Sequence, residues 1–432
     1  MRKERSIREF FGEDPERAEA LVVGRRGLLK GASLAAMGAA VGGAIPFAGN
    51  MPTGLLPAAL AQTPGIKPLK MDGKAELSVI GDRPLVAETP EHMLDDDVTP
   101  TDKFFIRNNG NVPDPPADPD SWELTIDGEV NTPLKLTLGE IKQRFESVTY
   151  KMQLECGGNG RSFFTPEARG NQWTNGGVGN PEWSGVRLKD VLQAAGLKPS
   201  AVYTGHYAAD PHLSGDPARI TLSRGLPIAK ALEEHTLLAF AMNGKPLLPL
   251  HGFPLRVVAP GYPGSASSKW VKRIWVRDRE HDGPGMTATS YRVPITPMIP
   301  GGKADPKNFK VLESMPVRSI ITNVRNGTEL ADGTRKIPLR GHAWAGEETV
   351  RAVDVTIDFG QTWQSCTVDA PPNKYCWQNW RTEVTLPSAG YFELWVRATD
   401  SMGRMQPPVA GVWNPQGYGG NAMHRVAVLV KA

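Results

Sequence analysis

The sequence predicts an α+β domain followed by an all-β sandwich, and three observations carry that reading. Between about residues 101 and 306, strand-like and helix-like runs mix without regular alternation, which argues against a doubly wound parallel sheet. After "PITPMIPGGKADPKNF" the helix signals vanish, and short alternating strands bounded by turns take over. At 432 residues the chain is also long enough to bury two cores.

Taken in order, the first informative element is "GRRGLLKGASLAAMGAAVGGAIPF". It sets Arg25-Arg26 before Leu28, Leu29 and Lys30, and no further charge follows until Lys67. Its Gly/Ala-rich apolar run is broken by Pro46 and is too weak for a stable membrane span. Ala59-Leu60-Ala61 offers a small-x-small cleavage site before Gln62. Residues 1–61 are therefore expected to be a twin-arginine signal peptide, which places the working protein in the periplasm. An amphipathic surface helix is the alternative. The twin-arginine route carries folded proteins, so a cofactor inserted beforehand is expected. Residues 62–100 are Pro-rich and poorly periodic, and read as an extended lead-in.

The first domain, residues 101–306, opens with "TDKFFIRNNGNVPDPPADPDSWELTIDGEV", where Asn, Gly and Pro clusters separate strand-like runs. Apolar spacings of three and four predict short helices at "LTLGEIKQRF" and "VRLKDVLQAAGL". Strands follow at "HTLLAFAMNG", "GFPLRVVAPG" and "KWVKRIWV". From about residue 307 to 432, Val353, Val355, Ile357 and Phe359 alternate with Asp354, Thr356 and Asp358, the period of a strand with one buried face. "YFELWVRATDSMG" and "HRVAVLVKA" repeat that texture, which predicts a sandwich of immunoglobulin type.

Composition narrows the function classes. Hydrophobic residues at 40% and charged residues at 22% are ordinary globular values, which argues against wholesale disorder and a multi-span membrane protein. The net charge of +3 comes with Lys and Arg scattered among acids, so no nucleic-acid partner is expected. Only Cys156, Cys366 and Cys376 are available for an oxidising compartment. Cys366 and Cys376 flank a turn-like segment, so a disulfide across a hairpin and two free thiols stand level. Cys156 is then the odd thiol.

Cys156 ends an apolar run in "YKMQLECGGNGRSFF". A nucleophilic role wants a nearby base, and no His is close in sequence. A zinc site wants further Cys or His ligands at short spacing, and none is present. A single thiolate can hold a soft metal whose cofactor brings the other ligands, and Gly157, Gly158 and Gly160 would give such a group clearance. A tight turn beside a buried structural cysteine is the equal alternative. His206 and His212, in a Pro/Gly-flanked loop, are candidate ligands or ordinary loop histidines. In "MNGKPLLPLHGFPLRVVAPGYPGSASSKWVKRIWV", His251, Arg256 and Lys269 accompany Ser265, Ser267, Ser268 and several glycines, a donor-rich stretch suited to an anion such as phosphate.

The segments "FFIRNNG", "LECGGNGR", "MNGKPLLPLHGFPLRVVAPG", "SSKWVKRI" and "VWNPQGYGGNAMHRV" together resemble the sulfite oxidase family of molybdenum-cofactor enzymes, in the family order. The resemblance spans roughly residues 100 to 432 and implies a sulfite-oxidase-type molybdopterin-binding domain followed by a dimerisation domain. It implies Cys156 as the thiolate ligand of molybdenum. Arg107, Arg161 and Tyr291 would form the anionic substrate pocket. Arg107, Asn108, Asn109, His251, Arg256, Ser267, Ser268 and Lys269 would hold the pterin and its phosphate.

Three departures stand out. Asn109 occupies a position that is often histidine in the family. Gln416 replaces a further arginine, and the loop "GHYAADPHLSGDP" leaves Asp210, His206 and His212 as candidates for a pterin-contacting role. The implied activity is sulfite dehydrogenation, with a sulfane dehydrogenase or another molybdopterin oxidoreductase as the alternative. Without a Cys-x-x-Cys-His haem site, electrons would pass to an external periplasmic c-type cytochrome. A homodimer is implied by the resemblance. An exported binding protein whose sandwich recognises a partner is the reading from another class.

Overall fold

The computed structural model describes residues 67–431, so the expected signal peptide lies outside the described residues. The segment expected as an extended lead-in is, from Lys67 on, built into a sheet. Strands Lys67–Pro68, Ser78–Asp82, Leu85–Glu88 and Ile106–Arg107 pair antiparallel in that order. Leu69, Leu77, Ala87 and Ile106 bury a small core of their own, which explains why a Pro-rich stretch is nonetheless held. Val86 pairs with Arg107, so this segment fixes the register of a candidate site residue.

Two five-stranded sheets form most of the rest of the first domain, beside a two-stranded pair of Leu154–Glu155 with Val178–Gly179. In one, Lys245–Pro246, Leu237–Met242, Glu182–Arg187 and Ser147–Lys151 run in that order, and Arg256–Val258 pairs with Leu237–Met242. In the other, Gly225–Pro227, Tyr203–Ala208, Val271–Arg277, Glu123–Gly128 and Leu134–Thr137 run in order, with one parallel step between Val271–Arg277 and Glu123–Gly128. Both predicted helices are present. Leu138–Arg144 starts with a capping box, in which Thr137 and Glu140 exchange side-chain to backbone hydrogen bonds. Leu188–Ala195 buries Leu188, Val191, Leu192 and Ala195 and ends at Gly196 in the left-handed region. These helices and both sheets share one apolar core.

The second domain is a sandwich of a four-stranded and a five-stranded sheet, ordered Arg318–Ile321, Lys336–Trp344, Gln378–Thr385, Thr367–Val368 and Thr328–Leu330, His424–Val430, Gly390–Asp400, Val350–Thr356, Gln364–Ser365. Ile321, Leu339 and Trp380 from one sheet meet Val353, Leu394 and Val428 from the other. The predicted alternation of residues 353–359 stops early. Val353 and Val355 are buried, but the strand ends at Thr356, and Phe359 is exposed with a left-handed φ of 59°. The Asp358 side chain turns the chain there by accepting hydrogen bonds from Thr356 Oγ1 and the Thr362 amide. The hairpin disulfide is absent, and all three cysteines are free. Cys376 Sγ instead accepts from Asn180 Nδ2 at 3.3 Å. No helix among the described residues is long and apolar enough to cross a membrane.

Candidate functional site

The chain folds so that the "FFIRNN" strand, the "LECGG" turn, the "GSASSKW" segment and the Tyr291 turn meet at one cleft of about 760 Å³. Arg107, Asn108, Asn109, Cys156, Arg256, Ser267, Ser268, Lys269 and Tyr291 all line it, with Asp210, Ser265 and Gly157. His251 and Arg161 stand behind the wall.

The turn after Cys156 is tightly held. The Cys156 amide donates to Gly177 O at 2.8 Å, and the Asn159 amide donates to Cys156 O at 2.9 Å. Burial pushes the Cys156 thiol up, while Arg107, Arg161 and the Gly158 amide pull it back toward thiolate. The glycines clear space for arginines as well as for the cleft. A Cβ at Gly158 would meet the Arg161 guanidinium, and one at Gly160, whose φ is +81°, would overlap Arg318 and Gly420. Only Gly157 of the three lines the cleft.

Arg161 is fixed by acceptors from the chain itself: Nε donates to Gln416 O at 2.6 Å and Nη1 to Asn171 O at 2.8 Å. Gln416 thus reaches the expected substrate arginine through its carbonyl. Tyr291 has a left-handed φ of 49° and donates its hydroxyl toward Asn109 Oδ1 at 3.4 Å. A bulky residue in that region signals local strain held in place by its surroundings.

The far end of the cleft is a desolvated cluster of cations. Lys269 Nζ donates to Arg107 O, Asn108 Oδ1 and Leu250 O at 2.9, 2.6 and 2.7 Å. Arg256 Nη1 donates to His251 O at 2.9 Å and Nη2 to Ser267 O at 3.0 Å. Burial drives Lys269 far below the usual ammonium range and Arg256 to about 9. Lys74, delivered by the N-terminal sheet, lies 3.3 Å from His251 Nε2 and is lowered to about 7 by burial. Burial also raises Asp210, a cleft-lining carboxyl that interacts with Lys269, to about 6, so it keeps most of its negative charge at neutral pH.

His206 and His212 do not join the site. His206 is fully buried in the strand Tyr203–Ala208 against Thr204 Oγ1, and burial lowers it to about 3. His212 bonds Ser214 in the loop beyond. Sequence reasoning missed Lys74, Arg224 and Tyr418. Tyr418 was within reach, because it follows Gln416 in the glycine-flanked "PQGYGG".

Residues 109–285 match the family "Oxidoreductase molybdopterin binding domain", and residues 310–431 match "Mo-co oxidoreductase dimerisation domain". The mitochondrial sulfite oxidase of Macaca fascicularis is 34% identical over 368 residues, covering 82% of this chain and 66% of that protein. Sulfite oxidase of Gallus gallus is 32% identical over 361 residues, covering 81% of this chain and 77% of that one. Nitrate reductase [NADH] 1 of Oryza sativa subsp. japonica is 32% identical over 376 residues, 82% of this chain and 41% of that one. The chain therefore spans just under two thirds of the mitochondrial relative's length. The sulfane dehydrogenase SoxCD of Paracoccus pantotrophus has a similar structure, with a TM-score of 0.66 at 25% identity, covering 85% of this chain and 91% of that one.

The cleft fits the cofactor that these families share. Lys269 and Arg256 are buried cations whose protein partners are neutral carbonyls and an amide, so an anionic phosphate would find donors and positive field together. His251 Nδ1 and Ser265 Oγ are buried polar atoms without a partner among the described residues, an arrangement that a polar ligand would satisfy. The Cys156 thiol, which also lines the cleft, is a soft donor of the kind a thiophilic metal takes. The chain belongs to the sulfite oxidase family of molybdopterin oxidoreductases, with a molybdenum–molybdopterin cofactor.

Proposed function

We propose that this protein is a sulfite dehydrogenase that oxidises sulfite to sulfate and passes electrons to an external c-type cytochrome. The observation that supports it most is the shared cleft in which Arg107, Asn109 and Tyr291 accompany Cys156. Bound there through the Cys156 thiolate, the molybdenum centre would supply two-electron oxidation with oxygen-atom transfer.

The chain's own residues prepare that chemistry. Arg107 and the buried cations behind it attract a small oxyanion and hold it in a poorly solvated site, where charge-assisted hydrogen bonds are strong. The Tyr291 hydroxyl donates to Asn109 Oδ1 at 3.4 Å, a long bond whose acceptor a bound oxyanion would replace. Phe104, Phe105, Leu154 and Trp270 contribute apolar walls that limit competing water. His251, Arg256, Ser267, Ser268 and Lys269 hold the pterin end. Oxidation of sulfite with water releases two protons and two electrons, and an acceptor protein takes the electrons.

Residues 1–61 act in this reading as a twin-arginine leader, which places the reaction in the periplasm. The C-terminal sandwich, immunoglobulin-like in this reading, joins two copies into a homodimer. A sulfane dehydrogenase is the second reading, favoured by the likeness to the Paracoccus enzyme and by the missing arginine at Gln416. Steady-state turnover of the metal-loaded protein with sulfite and cytochrome c or ferricyanide tests the first reading. No sulfite-dependent reduction, with turnover of a sulfane-sulfur substrate instead, selects the second.

A further inference from the structure

Tyr291 and Tyr418 stack with centroids 5.0 Å apart and planes 16° apart. The Arg224 guanidinium lies over the Tyr291 ring at 4.7 Å, and the Arg161 guanidinium lies over the Tyr418 ring at 5.4 Å. Guanidinium, phenol, phenol and guanidinium thus follow one another in a continuous file, with Tyr418 contributed by the second domain.

Arg224 is 1% exposed and makes no ion pair among the described residues. Nη1 donates to Gly285 O at 2.9 Å and to Met286 Sδ at 2.6 Å, while Nε is buried without a partner. Burying a guanidinium without a counter-charge is unfavourable unless other groups stabilise it, and the face of a desolvated phenol is one such group. The other end of the file is anchored too, since Gln416 O and Asn171 O fix Arg161. Between these anchors sits Tyr291, whose strained backbone persists only under restraint.

We propose that Arg224 and Tyr418 are positioning residues for oxyanion recognition: they hold the Tyr291 hydroxyl in register with Arg161, and Arg224 supplies the positive charge that Gln416 lacks. The ligand class is a small oxyanion of sulfur, sulfite as substrate and sulfate as product. The inference rests on the oxyanion reading of the cleft given above.

The test uses holoenzyme carrying Tyr418→Leu, Tyr418→Phe, Arg224→Met or Arg224→Lys. Tyr418→Leu and Arg224→Met are each expected to raise KM for sulfite about tenfold, the scale of a desolvated cation–π contact, with a smaller change in kcat. The dissociation constant of sulfate, measured by calorimetry, is expected to rise in parallel. Tyr418→Phe keeps the ring and Arg224→Lys keeps the charge, so each recovers most of the loss. A purely structural role would lower the melting temperature and leave KM and the sulfate constant unchanged, which overturns the proposal. If Arg224→Met does not fold, Arg224→Lys and the Tyr418 pair carry the same comparison. A wild-type holoenzyme that ignores sulfite yet binds sulfate, more weakly in Tyr418→Leu, rejects the substrate and keeps the file. Absence of sulfate binding to the wild type rejects the file.

Discussion

Replacing Arg318 by methionine is expected to destabilise the holoprotein by about 3 kcal/mol, for reasons the buried pair with Glu155 makes explicit. The two side chains are 1% and 0% exposed, and Arg318 Nε lies 2.9 Å from Glu155 Oε1. Nη2 also donates to Asn159 O at 2.8 Å and Nη1 to Asn175 Oδ1 at 3.1 Å. Methionine fills much of the volume but leaves a carboxylate and two oxygen acceptors buried without their donor. Removing one partner of a buried pair costs about 3–5 kcal/mol. The lower end applies, because Glu155 keeps hydrogen bonds from Asn159 Nδ2 at 2.9 Å and Trp344 Nε1 at 2.8 Å. Burial also raises the Glu155 pKa, which lets the orphaned group take up a proton instead of remaining charged. Urea unfolding of wild type, Arg318→Met, Glu155→Gln and the double variant closes the cycle. The double variant is expected to recover about 1–2 kcal/mol of the single loss, since no charge is left unpaired. An Arg318→Met protein within 1 kcal/mol of wild type, or a double variant no better than the single, refutes the reasoning.

Cys156→Ser is expected to keep its circular dichroism spectrum and pterin content yet lose turnover, because a hydroxyl is a poor substitute for a soft thiolate; near-normal rates refute the ligand role. Arg107→Gln removes a charged contact worth about 1.5–3 kcal/mol, so KM for sulfite should rise roughly 10- to 150-fold, and an unchanged KM removes Arg107 from the pocket. Burial, reinforced by Glu91, pushes Glu88 from the ordinary 4.5 up to about 8. The native state then holds a proton that the unfolded chain has released, so this group's contribution is full below about pH 4.5 and is lost as pH rises to about 8. Glu88→Gln cannot ionise and should flatten that decline in unfolding midpoints measured from pH 5 to 8; parallel curves for both proteins refute it.

The parts of the fold legible in the sequence were those with local causes. The helices at Leu138–Arg144 and Leu188–Ala195 follow from apolar spacing, and Val353 and Val355 from alternation, until a side-chain turn at Asp358 overrode the pattern. Arg107, Asn108, Cys156 and Lys269 could be grouped from the order of short segments, and the fold does bring them to one cleft. Lys74 could not be found that way: its partners Thr101, Phe104 and His251 are 27 to 177 residues distant, and its own segment lacks periodicity. Arg224 was hidden for the same reason, since its meaning comes from Tyr291 above it. The glycines after Cys156 showed that something bulky comes close, but only the folded chain distinguishes an arginine from a cofactor.

The contacts beneath the Cys156 turn also constrain the order in which the protein can be made. Gly419 N donates to Gly157 O at 3.0 Å, Gln416 O holds Arg161, and Gly420 crowds Gly160. All three belong to the final twenty residues of a chain of 432. A ribosome releasing the chain from its N-terminus therefore delivers the thiol long before the groups that set its surroundings. The geometry around the thiol becomes available only once the second domain has closed over the first. Synthesis past Gly420 thus acts as a checkpoint: a chain cut short before Asn414 would have the thiol and the buried cations, yet lack the groups that hold the turn beside the thiol.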